Sequence, residues 1–268
     1  MSENEVPEYL LKHFANIAKQ EGFVTYTPLQ EVHNGGGFIA AVQSFSLIGQ
    51  RRINGQLEDH KVDLVCKVMP KSEIRNNQFN SHRFFMHEVF TYKHILSVLS
   101  EFQQNLGLTE VDGFFAYPTY YVATYNPDSD DTVVIMKDLC VDGYVMLDKS
   151  KPISEENVNL VMTQLGRLHG VSYALRDQKP ELWESFQSIN DANLRNVNAL
   201  EEFCKNNFKK ALTIFKDEPN LGKLQTIANE WLAWVRECCE HGVTGPFTVV
   251  CHGDCWNNNM MFKSGDVS

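Results

Sequence analysis

The sequence predicts an α+β fold in two parts, and three observations indicate it. Up to about residue 139 of the 268 residues, β-prone runs alternate with turn signals around one or two helical patterns. After that point apolar residues recur mostly at helical spacing. No internal repeat or low-complexity tract interrupts either part. We therefore expect a strand-rich first half followed by a helix-rich second half.

The composition narrows the classes of function. Apolar residues make up 43% and charged residues 22%, as in ordinary globular proteins. The formal net charge of -10 argues against nucleic acid as a partner, because binding a phosphate backbone needs a basic surface. The first residues lack a secretory pattern, and no apolar run reaches membrane-spanning length. Seven cysteines without a CxxC pair favour reduced thiols, so we expect a cytoplasmic protein without membrane association.

The first elements predict an antiparallel sheet preceded by a helix. Residues 7–21 carry apolar side chains on one side of a helical pattern. Asn34 to Gly37 forms a Gly-rich turn between the first two strands, the second of which covers the β-prone run 38–48. Asn54-Gly55 is a strong hairpin signal, and a third strand, 62–69, follows it.

The remaining elements continue the same division into strands and helices. In chain order we expect a helix at 81–99, strands at 116–125 and 132–138, helices at 154–176, 194–216 and 221–241, and short strands at 247–251 and 260–262. Ser154 is the expected N-cap of the first helix of the second half.

The strongest chemical signal is the run from His252 to Asn259. An Asp followed five positions later by an Asn, in a loop between two short strands, is the catalytic-loop arrangement of kinases. There Asp254 would accept the proton of an attacking hydroxyl and Asn259 would bind magnesium. A lone DxxxxN is weak, and the plain alternative is that Asp254 caps a turn. A zinc site is disfavoured because no second Cys/His pair has zinc spacing.

Two charged residues in the first half are the next candidates. Lys67 lies in an otherwise apolar strand, where a charge is costly unless it is paired or binds an anion. Glu88 lies among apolar residues of the predicted helix and could pair with Lys67. The alternatives are an edge-strand lysine in water and a solvated helix face. Gly35, Gly36 and Gly37 do not form a Walker loop, but they could let the backbone approach a phosphate or make an ordinary hairpin turn.

These features together resemble the ecdysteroid-kinase-like family, also called CHK-kinase-like, which is related to choline kinases and aminoglycoside phosphotransferases. The resemblance covers nearly the whole chain. The residues that carry it are, in order, the Gly-rich hairpin, Lys67, Phe84-x3-Glu88-x3-Tyr92, Ile135-Met136-Lys137-Asp138-Leu139, Leu165-x2-Leu168-His169 and His252-Gly253-Asp254-x-Trp256-x2-Asn259.

The resemblance implies a bilobal protein-kinase-like fold with ATP and Mg²⁺ as cofactors. The N-lobe would cover residues 1–139 and a partial, mostly helical C-lobe residues 140–268. Lys67 would contact the phosphates with Glu88 as its partner, and the Gly-rich turn would lie close to them. The segment from Met136 to Leu139, including Asp138, would be the hinge beside adenine. The substrate would be a small hydroxylated molecule, such as an ecdysteroid-like steroid.

Two departures from the family pattern shape the remaining expectations. The hinge carries Lys137-Asp138 where the family usually has Glu-Asp. The second metal-binding Asp is expected on a return strand, and Asp266 comes too early in its turn to take that role. From this we expect a truncated chain that lacks this Asp. Two alternatives to an active steroid kinase therefore stay open: a non-catalytic nucleotide- or partner-binding protein, and a choline- or aminoglycoside-type kinase.

Overall fold

A computed structural model describes residues 6–36, 41–69, 81–126, 131–186, 198–241 and 245–263. The chain divides into two compact units, Met1–Val171 with Cys251–Ser268, and Ser172–Val250. The boundary expected near residue 139 separates predicted lobes rather than these units, and it stays a prediction.

The first unit contains an antiparallel five-stranded sheet of order β1-β2-β3-β5-β4. Its strands are β1 (Phe23–Gly36), β2 (Ala41–Ile53), β3 (Gln56–Val68), β4 (Tyr120–Thr124) and β5 (Val133–Lys137). The hairpin between β2 and β3 turns at Asn54 and Gly55, both with positive φ, as the Asn-Gly signal predicted.

Helices of the first unit lie on both faces of this sheet, and further helices make up most of the second unit. The helices are α1 (Glu8–Gln20), α2 (Ser81–Phe90), α3 (Leu96–Asn105), α4 (Glu155–Gln178), α5 (Pro180–Phe186), α6 (Asn198–Ile214) and α7 (Leu221–His241). A π-helical turn, Thr91–Ile95, joins α2 to α3. A second, two-stranded sheet pairs β6 (Tyr144–Met146) with β7 (Met261–Lys263). The mixture of an antiparallel sheet and helices confirms the predicted α+β class.

The two faces of the large sheet carry separate apolar cores because successive β3 side chains point to opposite faces. On one face α1 contributes Phe14 and Ile17 to a core that includes Leu64 and Cys66 of β3. The other face packs on α2. That second core contains Phe85 and Val89 of α2, Ala123 of β4, and Val134 and Met136 of β5. The alternate β3 residues, among them Lys67, face this second side and are half-buried.

Individual side chains explain where one helix begins and how two others pack. Ser154 caps α4 as predicted, since its Oγ accepts the Asn157 N–H at 3.2 Å. In the second unit α6 contacts α7 through Phe208 and Trp231, whose ring centroids are 5.9 Å apart. None of the helices in the described ranges has the length and apolar character needed to cross a bilayer.

The strand predicted at 247–251 is wrong. Residues 248–250 have no strand assignment. Their backbone groups bond instead to side chains of α4: Ser172 Oγ accepts the Val250 N–H at 2.7 Å, and Arg176 donates to the Thr248 carbonyl at 2.9 Å. The β-prone composition therefore belongs to an irregular segment that bonds to side chains of a helix.

Candidate active site

Lys67 and Glu88 form an ion pair on the α2 side of the sheet. The Lys67 Nζ lies 2.5 Å from Glu88 Oε1, and the two side chains are 31% and 26% exposed. Lys67 belongs to β3, which is hydrogen-bonded to β2 on one side and β5 on the other. The alternatives of an edge-strand lysine and of a solvated glutamate are therefore wrong. The roles of the pair toward a nucleotide stay predictions.

The surroundings favour the charged form of this lysine. Burial opposes the ammonium charge, but Glu88 and then Tyr92 favour it, so the pKa of Lys67 is raised above its ordinary value. The pKa of the neighbouring Tyr92 is also raised above its ordinary value. Burial is the main cause and Glu88 adds to it, while Lys67 acts in the opposite direction. The lysine is thus a fixed positive charge at physiological pH, as an anion-binding group must be.

The predicted turn from Asn34 to Gly37 is wrong in part, because Gly35 and Gly36 belong to β1, where they lie at the same end of the sheet as Lys67. Gly35 pairs with Val42, which pairs in turn with Lys67, so the three residues form one row across β1, β2 and β3. Gly36 occupies the last position of β1. Gly37 lies outside the described residues. A glycine backbone in this row could approach a phosphate closely, but its contact with one stays a prediction.

The predicted hinge follows β5 directly. The Met136 side chain is buried in the core beneath α2, and its sulfur lies 3.9 Å from the Tyr92 hydroxyl oxygen. Asp138 is fixed by two bonds: its N–H donates to the Asp63 carbonyl at 2.9 Å, and its Oδ1 accepts the Cys140 N–H at 2.9 Å. The unusual Lys137 forms an ion pair with Asp142 at 2.6 Å. The segment is therefore held by local contacts that do not need the Glu of the usual Glu-Asp pair.

The predicted catalytic loop is exposed and tied together by its own residues. The Asn259 Nδ2 donates to the Asp254 backbone oxygen at 2.9 Å and to Asp254 Oδ2 at 2.8 Å. The Asp254 N–H donates to His252 Nδ1 at 3.2 Å, across Gly253 with φ of 80°. Asp254 is thus oriented by Asn259 and reachable from solvent, both of which a base toward an external hydroxyl requires.

The donor atoms of this loop suit a hard cation. The Asn259 amide nitrogen makes both hydrogen bonds to Asp254, which leaves the amide oxygen as a ligand. Mg²⁺ is usually held by one or two protein oxygens together with substrate phosphates rather than by a protein cage. In the described ranges no group of three or more His, Cys, Asp or Glu side chains could hold a metal. The donor atoms of the loop are of the type that Mg²⁺ prefers, and magnesium binding there stays a prediction.

The structure joins the predicted site residues into two pairs. Lys67 contacts Glu88, and Asp254 contacts Asn259. Within the described residues no hydrogen bond or ion pair links one pair to the other. The sequence predicted no role for Tyr92 beyond its place in a motif. In the structure its hydroxyl contacts the Met136 sulfur, and it interacts electrostatically with Lys67. Its spacing of four residues from Glu88 could have indicated it.

The sheet, the helix packed on it and the lysine–glutamate pair define a kinase-like α+β protein. The ecdysteroid kinase-like family matches residues 43–268, which is most of the chain, and the chain belongs to this family. The family predicted from the sequence is thereby confirmed. Membership of this family indicates a small-molecule phosphotransferase of the kinase-like type. Neither the curated proteins nor the solved structures yield a match to the chain.

Proposed function

We propose that this chain catalyses ATP-dependent phosphoryl transfer to a hydroxyl group of a small molecule, with an ecdysteroid-like steroid as the first acceptor class to test. One observation carries the proposal. A lysine of a central strand and a glutamate 21 positions later in the chain meet at 2.5 Å on one face of the sheet. A half-buried charge pair of this kind is poor evidence for stability, so an anion-binding role explains it better.

In the proposed reaction Lys67 binds the phosphates of ATP. Its ammonium group is held by Glu88, so the positive charge is in place before the nucleotide binds. Electrostatic groups fixed in advance stabilise developing charge without a reorganisation cost. Gly35, in the same row of the sheet as Lys67, supplies backbone near the same phosphates, and Gly36 follows it at the end of β1. Met136 and Asp138 border the adenine.

Asp254 acts on the acceptor. The substrate oxygen forms a bond to the γ-phosphorus, the bond from that phosphorus to the bridging oxygen breaks, and ADP leaves. The proton of the substrate hydroxyl goes to the Asp254 carboxylate. Asn259 keeps this carboxylate in place through its 2.8 Å hydrogen bond. The side chain therefore does not have to be ordered when the acceptor binds.

The Asn259 amide oxygen would hold magnesium in this arrangement. The ion, when bound, neutralises charge on the β- and γ-phosphate oxygens. The same asparagine would thus serve two neighbours, because its amide nitrogen orients the base while its amide oxygen would be available to hold the cation.

Transfer of labelled phosphate from ATP tests the proposal. The acceptor panel contains an ecdysteroid-like steroid, choline and an aminoglycoside, and ATP binding is measured separately by calorimetry. We expect transfer to the steroid, and we expect Asp254→Asn to reduce kcat by about 10²- to 10⁴-fold while ATP binding is kept. Asn258→Ala, an exposed change in the same loop, is the matched control and should retain activity.

Each alternative gives a different result in the same experiment. ATP binding without transfer to any acceptor would support a non-catalytic nucleotide-binding protein. Transfer confined to choline or the aminoglycoside would keep the reaction and replace the substrate class. Absence of magnesium-dependent ATP binding would reject the proposal altogether.

A further inference from the structure

The helix that carries Glu88 changes its winding one turn later. Residues Thr91–Ile95 form a π-helical turn, in which the Leu96 N–H bonds to the Thr91 carbonyl five residues earlier. π-helical turns are rare, occur mostly as single turns inside α-helices and are frequent at functional sites. Because the turn is unfavourable by itself, other contacts must hold it.

Three side chains hold this turn against the sheet, and we name them the π-turn clasp: Tyr92, Ser97 and Tyr120. The Ser97 Oγ donates to the Tyr92 carbonyl at 3.3 Å and lies 3.0 Å from the Tyr120 hydroxyl oxygen. The Tyr92 and Tyr120 ring centroids are 5.8 Å apart. Since Tyr120 begins β4, the clasp fastens the helix to the sheet at the π turn.

The clasp reaches the ion pair through Tyr92. Glu88 and Tyr92 are four residues apart, so they lie on the same side of the helix. The Tyr92 hydroxyl contacts the Met136 sulfur of β5, while Glu88 contacts Lys67 of β3. A shift of the helix at Tyr92 would therefore move Glu88 relative to Lys67.

We infer that Ser97 is a positioning residue for the Lys67–Glu88 pair: it holds the π-helical turn to β4 and so fixes the helix that presents Glu88 to Lys67. This inference deepens the proposed function, on which its expectation for ATP rests. Ser97 touches no reacting group, and its effect passes through Tyr92 and the helix.

Ser97→Ala removes the hydroxyl and tests the inference by two measurements. The first is the affinity for ATP by calorimetry, where we expect a rise in Kd of about 3- to 10-fold, the range of one net hydrogen bond. The second does not involve nucleotide: the rate at which Lys67 is acylated by an amine-reactive reagent, followed by mass spectrometry. A lysine released from Glu88 loses the support for its raised pKa and should react severalfold faster.

Two further variants separate positioning from general stability. Ser97→Thr keeps the hydroxyl and should restore both the Kd and the acylation rate. Ser100→Ala is the matched control on the same helix, because Ser100 bonds to Gln104 and Tyr117 rather than to Tyr92. It should leave both measurements unchanged even if it lowers the melting temperature.

The outcomes are distinct. Wild-type values for Ser97→Ala in both measurements would overturn the inference. If wild-type protein does not bind ATP, the proposed function fails, yet a faster Lys67 reaction in Ser97→Ala would still support the positioning role. If Ser97→Ala does not fold, Tyr120→Phe removes the other hydroxyl of the contact, and an unchanged Lys67 rate in that variant would overturn the inference.

Discussion

The two residue pairs of the candidate site are built in opposite ways. Lys67 and Glu88 come from a central strand and a helix, are half-buried, and lie 21 positions apart in the chain. Asp254 and Asn259 are five positions apart in one exposed loop. The first pair therefore depends on tertiary structure, whereas the second depends on the local backbone.

Because of this difference, substitutions in the two residue pairs should affect stability and function to different degrees. Removing one partner of a half-buried pair leaves the other charge poorly solvated, so both stability and function should suffer. Changes in an exposed loop usually alter stability by less than about 0.5 kcal/mol, so their effect falls on function. Measuring both stability and activity for the same variants therefore distinguishes residues needed for folding from residues needed for catalysis.

The largest expected combined effect on activity and stability concerns the half-buried pair. Lys67→Met removes the charge with similar side-chain length and should reduce kcat/KM by about 10²- to 10³-fold, as for other preorganised electrostatic groups. It should also lower the free energy of unfolding by about 1–3 kcal/mol because Glu88 stays half-buried without its partner. Kinetics and urea unfolding measure the two effects.

A second substitution, at Glu88, tests whether its unpaired charge causes the loss of stability. Adding Glu88→Gln to Lys67→Met removes the unpaired charge, so part of the lost stability should return while activity stays low. A double variant that is less stable than Lys67→Met would contradict the desolvation argument. By contrast Asn259→Ala should lower activity and leave the free energy of unfolding nearly unchanged.

A smaller effect is expected from the backbone of the exposed loop. Gly253 has φ of 80°, and a Cβ there would meet no atom within 4 Å, so substitution brings only backbone strain. Gly253→Ala should cost about 1–2 kcal/mol of local strain and lower kcat by moving Asp254. Gly253→Asn should behave better, since Asn adopts this conformation more readily.

Gly22, at the end of α1, is the matched control for this change. It has φ of 75° and equally open surroundings. Gly22→Ala should cause a similar loss of stability, measured by urea unfolding, without a change in kcat. Equal kcat values for Gly253→Ala and Gly22→Ala would show that the local backbone does not position Asp254.

The sequence was informative where a residue contradicted its surroundings. A lysine in an apolar strand and a glutamate in an apolar helix each needed a partner, and the structure joins them. The spacing of Asp254 and Asn259 likewise placed both in one loop, where they contact. The cost of an unpaired charge indicated the Lys67–Glu88 pair only together with the kinase-like order of motifs, and the contact between Asp254 and Asn259 was not itself predicted.

It was less informative where several structures satisfy the same pattern. Apolar residues at 85, 89, 92, 96 and 99 fit an ordinary α-helix, so the π turn was not predicted. The contacts that accompany it join Ser97 to Tyr120, which is distant in the sequence. The β-prone run at 247–251 fitted a strand, but whether an extended segment pairs with a strand or with Ser172 of a helix depends on distant residues.

The smallest expected effect applies the same comparison to two surface aspartates. Asp131 accepts bonds from Lys12 and the buried His13, both at 2.6 Å, and is 26% exposed. Burial opposes its charge, but Lys12 and His13 outweigh burial and the pKa of Asp131 is lowered. Its stabilising contribution is therefore complete above its ordinary pKa of 3.8 and disappears as the pH falls through the lowered value.

Asp131→Asn should lower the free energy of unfolding by about 1 kcal/mol at pH 7, with ATP affinity unchanged, since Lys12 is largely solvated. Urea unfolding at several pH values should show the difference from wild type narrowing below pH 3.8. Asp142→Asn is the control, because Asp142 and Lys137 are both more than a third exposed. That pair should contribute less than about 0.5 kcal/mol, so equal losses in the two variants would mean that burial does not decide which ion pairs matter in this fold.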